Sequence, residues 1–520
     1  NNTDSIYPEA KPVEYPIAGV APSGFRIGVL DIADAKTTWM NIPTDTVLQT
    51  YIPRMEWAAN SNELIVQQLN RKQNQSDLRI CDAVSGDTKI IYSETDKAWI
   101  DIIGLWDDDY QYGGWDWLND GKDFFWASDK DGWRHLYRIS RDGKTETIIT
   151  PGNYDVIDIV KVDDKNGFVY FMASPDNATQ RYLYKASLKG NEKAVRITPE
   201  NQPGTHRYDI SSDAKYAAHS FSNINTPNTN EWITVNDHKP LNNENNVDKA
   251  IANSNNQKHN TRFFKVTTVD GVEMDGWMSL PTNFDSTKKY PVVFFVYTEP
   301  WGQTARDEYG ADKDRLYKGS MADDGYIYIS MDNRGTPVPK GREWRKCVYR
   351  KIGLINIRDQ AMAAKEVLKW NYIDTSRVAV WGWSGGGSAT LNLMFQYPDI
   401  YKTGIAIAAV ANQLTYDNIY QERYMGLPQE NREDFVKGSP LTYAKNLKGN
   451  LLYIHGTGDD NVHFNNAEML INELIKYNKQ FQLMTYPNRT HSISEGEGTF
   501  EHLSTLYTNY LKQYCPPGGR

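Results

Sequence analysis

RVAVWGWSGGGSATLNLMF, residues 377–395, is the stretch whose reading decides the fold. Within it, Gly382-Trp383-Ser384-Gly385-Gly386 places glycines around a serine at the spacing of a nucleophile elbow, in which a strand turns sharply into a helix. Small residues are required there because the serine takes an unfavourable backbone conformation and the helix passes close to the strand. The competing reading is a serine N-cap after a glycine-rich bend. The apolar run before it and the helical run after it favour the elbow.

Outward from that stretch, the chain falls into two rhythms. KYPVVFFVY (289–297), YIYISMDNRG (326–335), VAVWGW (378–383), TGIAIAAV (403–410) and NLLYIHG (450–456) are apolar strand runs, and IRDQAMAAKEVLKW (357–370) is an amphipathic helix. Strands alternating with helices imply a mostly parallel sheet, an α/β domain over 256–520. Residues 1–255 instead carry short alternating runs divided by Asp, Asn and Gly, without a helical period. A strand, turn, strand, hairpin, strand pattern recurs at 62–92, 123–150 and 167–198, with a degenerate copy at 216–235 and a partial one in FRIGVLDI (25–32). The spacing of roughly 50 residues is that of a four-stranded propeller blade. The 33 Tyr and 15 Trp fit such an all-β array. The expectation is a partial N-terminal β-propeller of about four blades and a fragment, followed by the α/β domain. LNNENNVDKAIANSNNQKHN (241–260) reads as a linker or surface crossing, and Trp106-Asp107-Asp108-Asp109 as an acidic blade loop rather than a metal site.

Length and composition narrow the function classes. A chain of 520 residues is too long for one core and divides into at least two domains. No apolar run reaches the roughly 20 residues of a membrane span, and the opening NNTDSIYPEAKPVEYP has neither the basic nor the apolar region of an export signal. A net charge of -9 disfavours nucleic acid, whose phosphates attract clustered Lys and Arg. Cys81, Cys347 and Cys515 form no CxxC pair, so neither a zinc cluster nor a disulfide framework is expected.

A serine hydroxyl needs a base to take its proton, and the base needs a carboxylate to hold its tautomer. In the α/β-hydrolase order of serine, acid, histidine, NLLYIHGTGDDNVHF (450–464) offers Asp459 just after a strand, with Asp460 its rival. QLMTYPNRTHSISEG (482–496) offers His491 as base, with His455 and His463 as rivals. The oxyanion needs two donors. The Gly385 backbone N–H is one, and Tyr297, in the loop after an earlier strand, is a candidate for the other.

With these residues in place, the chain resembles the dipeptidyl peptidase IV branch of the prolyl oligopeptidase family. The likeness rests on SDKDGWRHLY (128–137), VYTEPWGQ (296–303), GWSGGG (382–387), YDNIYQERYMGLP (416–428), HGTGDDNVHF (455–464) and NRTH (488–491), in that order. The resemblance implies a propeller capping an α/β-hydrolase domain, with Ser384 as nucleophile, Asp459 as acid, His491 as base, and Tyr297 with Gly385 at the oxyanion. Tyr416, Tyr420, Val410 and Val462 would line the pocket for the P1 residue, Asn461 would hold the P2 carbonyl, and Arg423 would support the carboxylates that bind substrate. It implies removal of N-terminal dipeptides from peptides with Pro or Ala in the penultimate place, no cofactor or metal, a homodimer, and a periplasmic or secreted setting. The alternatives are a tripeptidyl peptidase, an oligopeptidase or an acylaminoacyl-peptidase on the same fold, and a propeller protein without activity.

Three departures qualify this. Gly385 stands where the branch carries tyrosine, and Gln413 where it carries a pocket tryptophan. No Glu-Glu dipeptide, the family's anchor for the substrate amine, occurs in the chain. YPEAKPVEYPIAGVAPSGFRIGVLDI (7–32) resembles a region beyond that anchor, so the expectation is that the parent protein carried it on preceding sequence.

Overall fold

The structure, a computed structural model, describes residues 6–7, 14–43, 49–102, 116–190, 192–241 and 245–520. The acidic run Trp106-Asp107-Asp108-Asp109 lies outside the described residues.

The first half is built of antiparallel sheets that stack face to face. Among the described residues, four have four strands: 51–57, 63–69, 75–82 and 88–95; then 117–118, 123–128, 135–140 and 146–148; then 156–163, 168–173, 182–187 and 195–196; then 205–210, 216–223, 226–234 and 239–240. A two-stranded ribbon, Gly28–Asp31 with Lys36–Trp39, precedes them. Strand alternation explains the stacking, because successive side chains point to opposite faces. In the strand Asp123–Ser128, Phe124 and Trp126 pack against Ile65 and Leu78 of the sheet before, whereas Phe125 and Ala127 pack against Val169 and Phe171 of the sheet after. The next blade repeats the device: Tyr170 and Met172 turn the other way, towards Ala217 and Ile233. These two blades are therefore buried on both faces, which is why their central strands are so aromatic.

The stretch 241–260 is not a plain linker. Residues Asn246–Asn255 form a helix against the last blade, with Val247 wholly buried and its N–H donating to Glu231 at 3.2 Å. Asparagine has low helix propensity, so the three Asn of this helix mask it in the sequence; the tertiary contact overrides the propensity.

The second half holds one eight-stranded sheet: β1 (Thr261–Thr267), β2 (Glu273–Ser279), β3 (Tyr290–Phe295), β4 (Ile327–Met331), β5 (Ile373–Trp383), β6 (Thr403–Ile407), β7 (Asn450–Gly456) and β8 (Gln482–Tyr486). The spatial order is β1-β2-β4-β3-β5-β6-β7-β8, with the first two pairings antiparallel and the remainder parallel. Both faces are covered. Val292, Phe294, Val378 and Val380 face α1 (Ile355–Val367) and α2 (Gly385–Gln396), while Val293, Ala379 and Trp381 face the C-terminal helix Thr499–Tyr514. Continuous apolar runs are what a doubly covered parallel sheet demands.

The two halves meet through buried charge as well as apolar contact. Lys346 reaches Asp96 at 3.1 Å and Asp129 at 2.7 Å, Arg345 reaches Asp129 at 3.2 Å and Asp155 at 2.8 Å, and Arg342 reaches Asp96 at 2.6 Å. Arg134 pairs with Asp101 at 3.0 Å within the propeller beside them. The four cations and four carboxylates balance, which allows the burial. Ala98 and Trp99 pack on Val348, Tyr424 and Met425 alongside.

Removing one member of a buried pair strands its partner's charge, at a cost of about 3–5 kcal/mol. Lys346→Met should therefore lower the unfolding free energy from a urea titration by an amount in that range, and adding Asp129→Asn should restore part of it. A loss below about 1 kcal/mol, the scale of exposed pairs, would mean that the cluster is hydrated and does not hold the halves together.

Candidate active site

The elbow is set by contact between backbones. Ser384 sits at φ 57°, ψ -120°, between the end of β5 and α2. A Cβ on Gly382 would lie 2.4 Å from the Val296 carbonyl oxygen, and one on Gly386 would lie 2.2 Å from the same atom. Only glycine at both places lets β5 and α2 close on the chain leaving β3, and the closure holds Ser384 in its strained turn. The Ser384 N–H donates to the Ile407 carbonyl at 2.8 Å, which ties the turn to the end of β6.

Three side chains from separate loops converge at this point. His491 Nε2 lies 2.9 Å from Ser384 Oγ, and His491 Nδ1 lies 2.9 Å from Asp459 Oδ2. Asp459 is 4% exposed, and burial works against its charge. Hydrogen bonds from His455 and His491 outweigh burial and hold its pKa at about 2. The other oxygen, Oδ1, accepts the N–H groups of Asn461 at 3.0 Å and Val462 at 2.8 Å. Asp460, the rival acid, points to solvent.

The rival bases separate in the same way. His455 Nε2 lies 2.8 Å from the Val462 carbonyl and 3.2 Å from Asp459 Oδ2, so this nitrogen carries the proton and donates, while Nδ1 faces the Tyr453 hydroxyl at 3.3 Å. It is a second donor to the acid. His463 packs edge-on against Tyr15, with centroids 4.4 Å apart, and does not join the serine. The His491 backbone is itself pinned, its carbonyl accepting from Trp383 Nε1 at 3.0 Å.

Tyr297 follows β3, with its ring edge-on to Trp301 at 5.5 Å. Burial, then the neighbouring Glu299, push its hydroxyl well above the usual tyrosine range, opposed by Trp301 and Ser384, against which it is placed. The group stays a protonated donor. The N–H of Gly385 opens α2, where helix geometry leaves it no intrahelical partner.

Beside the serine, Tyr297, Val410, Tyr416 and Tyr420 line a pocket that continues inward past Gln413 and Gln421 to Asn356 and Asn392. The Tyr416 and Tyr420 rings meet edge-on at 5.6 Å, and the Tyr416 hydroxyl donates to Asn461 Oδ1 at 3.0 Å. One expected member lies elsewhere. Val462 is wholly buried behind the acid, its N–H and carbonyl both engaged by Asp459 and His455, and it is absent from the pocket wall. Arg423 is buried at the junction with the propeller, where its Nε donates to Gln73 Oε1 at 2.7 Å; its neighbour Glu422 instead takes Arg71 at 2.8 Å.

Sequence reasoning passed over two contributors. Tyr15 donates to the Asn461 carbonyl at 2.9 Å, and the chain beside it pairs Ile17 with Asp417, so the N-terminal stretch braces the pocket loop. Glu299 lines the pocket, and the clue was beside it: a bare Gly385 leaves room that another side chain must fill.

Comparison with known proteins follows the same division. The profile described as "Dipeptidyl peptidase IV (DPP IV) N-terminal region" matches residues 1–228, and that of the "Prolyl oligopeptidase family" matches 315–516. Dipeptidyl peptidase 4 of Trichophyton equinum is 29% identical over 478 residues, covering 90% of this chain and 60% of the relative. Dipeptidyl peptidase 4 of Trichophyton rubrum is 29% identical over 476 residues with the same coverage, so the chain spans 60% of the length of these curated relatives. The crystal structure of Porphyromonas gingivalis dipeptidyl peptidase 4 superposes with a TM-score of 0.87 at 30% identity, over 99% of this chain and 70% of that one. With both halves matched and a solved relative aligned along 99% of this chain, the chain belongs to the dipeptidyl peptidase IV branch of the prolyl oligopeptidase family.

Proposed function

We propose that this chain carries the catalytic centre of a serine exopeptidase that releases N-terminal dipeptides from peptides with Pro or Ala in the penultimate place. The observation that carries the reading is the unbroken chain from Ser384 through His491 to Asp459, at 2.9 Å and 2.9 Å, opening on a pocket walled by Tyr416 and Tyr420. Residues 1–255 form the partial propeller in this reading and 256–520 the catalytic domain.

The chemistry follows from the donors. Asp459, ionised, accepts a hydrogen bond from the Nδ1–H of His491, which fixes the tautomer that leaves Nε2 bare towards Ser384. As the hydroxyl attacks the carbonyl after P1, Nε2 takes its proton. The developing oxyanion receives the Tyr297 hydroxyl and the Gly385 N–H. His491 then protonates the leaving amine, and water cleaves the acyl-enzyme along the reverse route. A proline ring suits Tyr416, Tyr420 and Val410 because it buries flat apolar surface and has no N–H to satisfy. Asn461, with its oxygen occupied by Tyr416, keeps its amide N–H for the P2 carbonyl.

A second reading, an oligopeptidase or acylaminoacyl-peptidase, rests on the absence of a Glu-Glu dipeptide from these 520 residues. Hydrolysis of Gly-Pro-nitroanilide should exceed that of its N-acetylated form, and Ser384→Ala should remove at least about 10⁴-fold of the rate. Equal or faster cleavage of the blocked substrate would retire the exopeptidase reading. A homodimer is proposed on family resemblance alone, and sedimentation velocity should then give twice the chain mass of 59.5 kDa.

A further inference from the structure

The loop after β3 turns a carboxylate into the serine's pocket. Thr298, a β-branched residue, sits at φ 70°, in the left-handed region that such residues avoid. Two buried amides hold it there: Asn356 donates to its Oγ1 at 3.1 Å, and Asn333 to its carbonyl at 3.2 Å. The kink sends the next side chain, Glu299, inward over the start of α2. A Cβ on Gly385 would stand 2.2 Å from Glu299 Cγ, so the stem of Glu299 occupies the space a side chain at 385 would use. The bare glycine and the inward glutamate are one feature.

The Glu299 carboxylate is incompletely served. Its Oε2 accepts from the Tyr420 hydroxyl at 2.8 Å, and among the described residues no cation pairs with it. Burial pushes its pKa up to about 7, with the Tyr420 hydrogen bond opposing. Two other buried acids are matched by a cation: Glu422 has Arg71 at 2.8 Å, and Asp359 has Arg334 at 2.8 Å. An unmatched buried carboxylate is costly, and a cation is the group that offsets the cost. Glu299 also lines the pocket that holds Ser384.

We propose that Glu299 is a specificity-determining residue of the P1 pocket, whose carboxylate receives the ammonium end of a lysine- or ornithine-like P1 side chain, admitting basic residues besides Pro and Ala. The methylene stem would lie along Tyr416 and Tyr420, and Oε1, which Tyr420 leaves free, would take the ammonium. This rests on the peptidase reading only in that P1 is the residue whose carbonyl meets Ser384.

The test compares Gly-Lys-, Gly-Orn- and Gly-norleucine-nitroanilide, the last matching lysine without its charge. At least one basic substrate should exceed norleucine in kcat/KM by about tenfold or more, the worth of one charge-assisted hydrogen bond. Glu299→Gln should erase that ratio, chiefly through KM, and Glu299→Asp should keep part of it. A ratio near one in the wild type, or one unchanged in Glu299→Gln, overturns the proposal. Calorimetry on Ser384→Ala with the free dipeptides Gly-Lys and Gly-norleucine separates the two readings: silence of the wild type on every nitroanilide would defeat the peptidase reading, while equal binding of the two dipeptides would defeat the role of Glu299. Tighter Gly-Lys binding that vanishes in Ser384→Ala with Glu299→Gln supports it.

Discussion

The site depends on one crowded atom, the carbonyl oxygen of Val296. The end of β3, the end of β5 and the first turn of α2 all close on it, and they can do so only because Gly382 and Gly386 present no side chain. That approach forces the turn in which Ser384 stands proud of the sheet. The rest follows from topology. In a parallel sheet the loops leaving the strands gather at the carboxyl edge, and Tyr297 after β3, Ser384 after β5, Val410 after β6, Asp459 after β7 and His491 after β8 all come from that edge. Residues nearly 200 positions apart meet without any long-range device beyond the strand order.

Electrostatically, the acid is over-determined and the pocket under-determined. Asp459 receives two backbone N–H groups and two imidazoles, so its charge and orientation are fixed before any substrate arrives. Glu299, some way along the same wall, receives a single hydroxyl. A group satisfied by the protein acts on the reaction through geometry, whereas a group left wanting acts through what it attracts.

Much of this was legible in the chain. The GWSGGG spacing and the strand, helix, strand rhythm are local signals, and the propeller repeat is periodic, so both survive in one sequence. The triad followed from chain order and chemistry. Choosing Asp459 over Asp460 required the backbone donors of Asn461 and Val462, which are set by a loop conformation rather than by residue type. The helix at 246–255 was hidden because its stability comes from a buried Val247 rather than from propensity. Glu299 was read past within a quoted motif, since its direction is set by a kink at Thr298 that a threonine does not announce. Val462 showed the reverse: its type suited the pocket, but its backbone leads it behind the acid.

The junction of the two halves has a thermal character of its own. Lys346 and Arg345 are dehydrated against Asp96, Asp129 and Asp155. The hydration that charged groups surrender on burial weakens with heating, so the penalty for keeping them dry shrinks, while apolar contact gains little more. The propeller is thus seated on its neighbour by a contact whose worth goes on growing in the heat, where that of a greasy interface of the same size levels off.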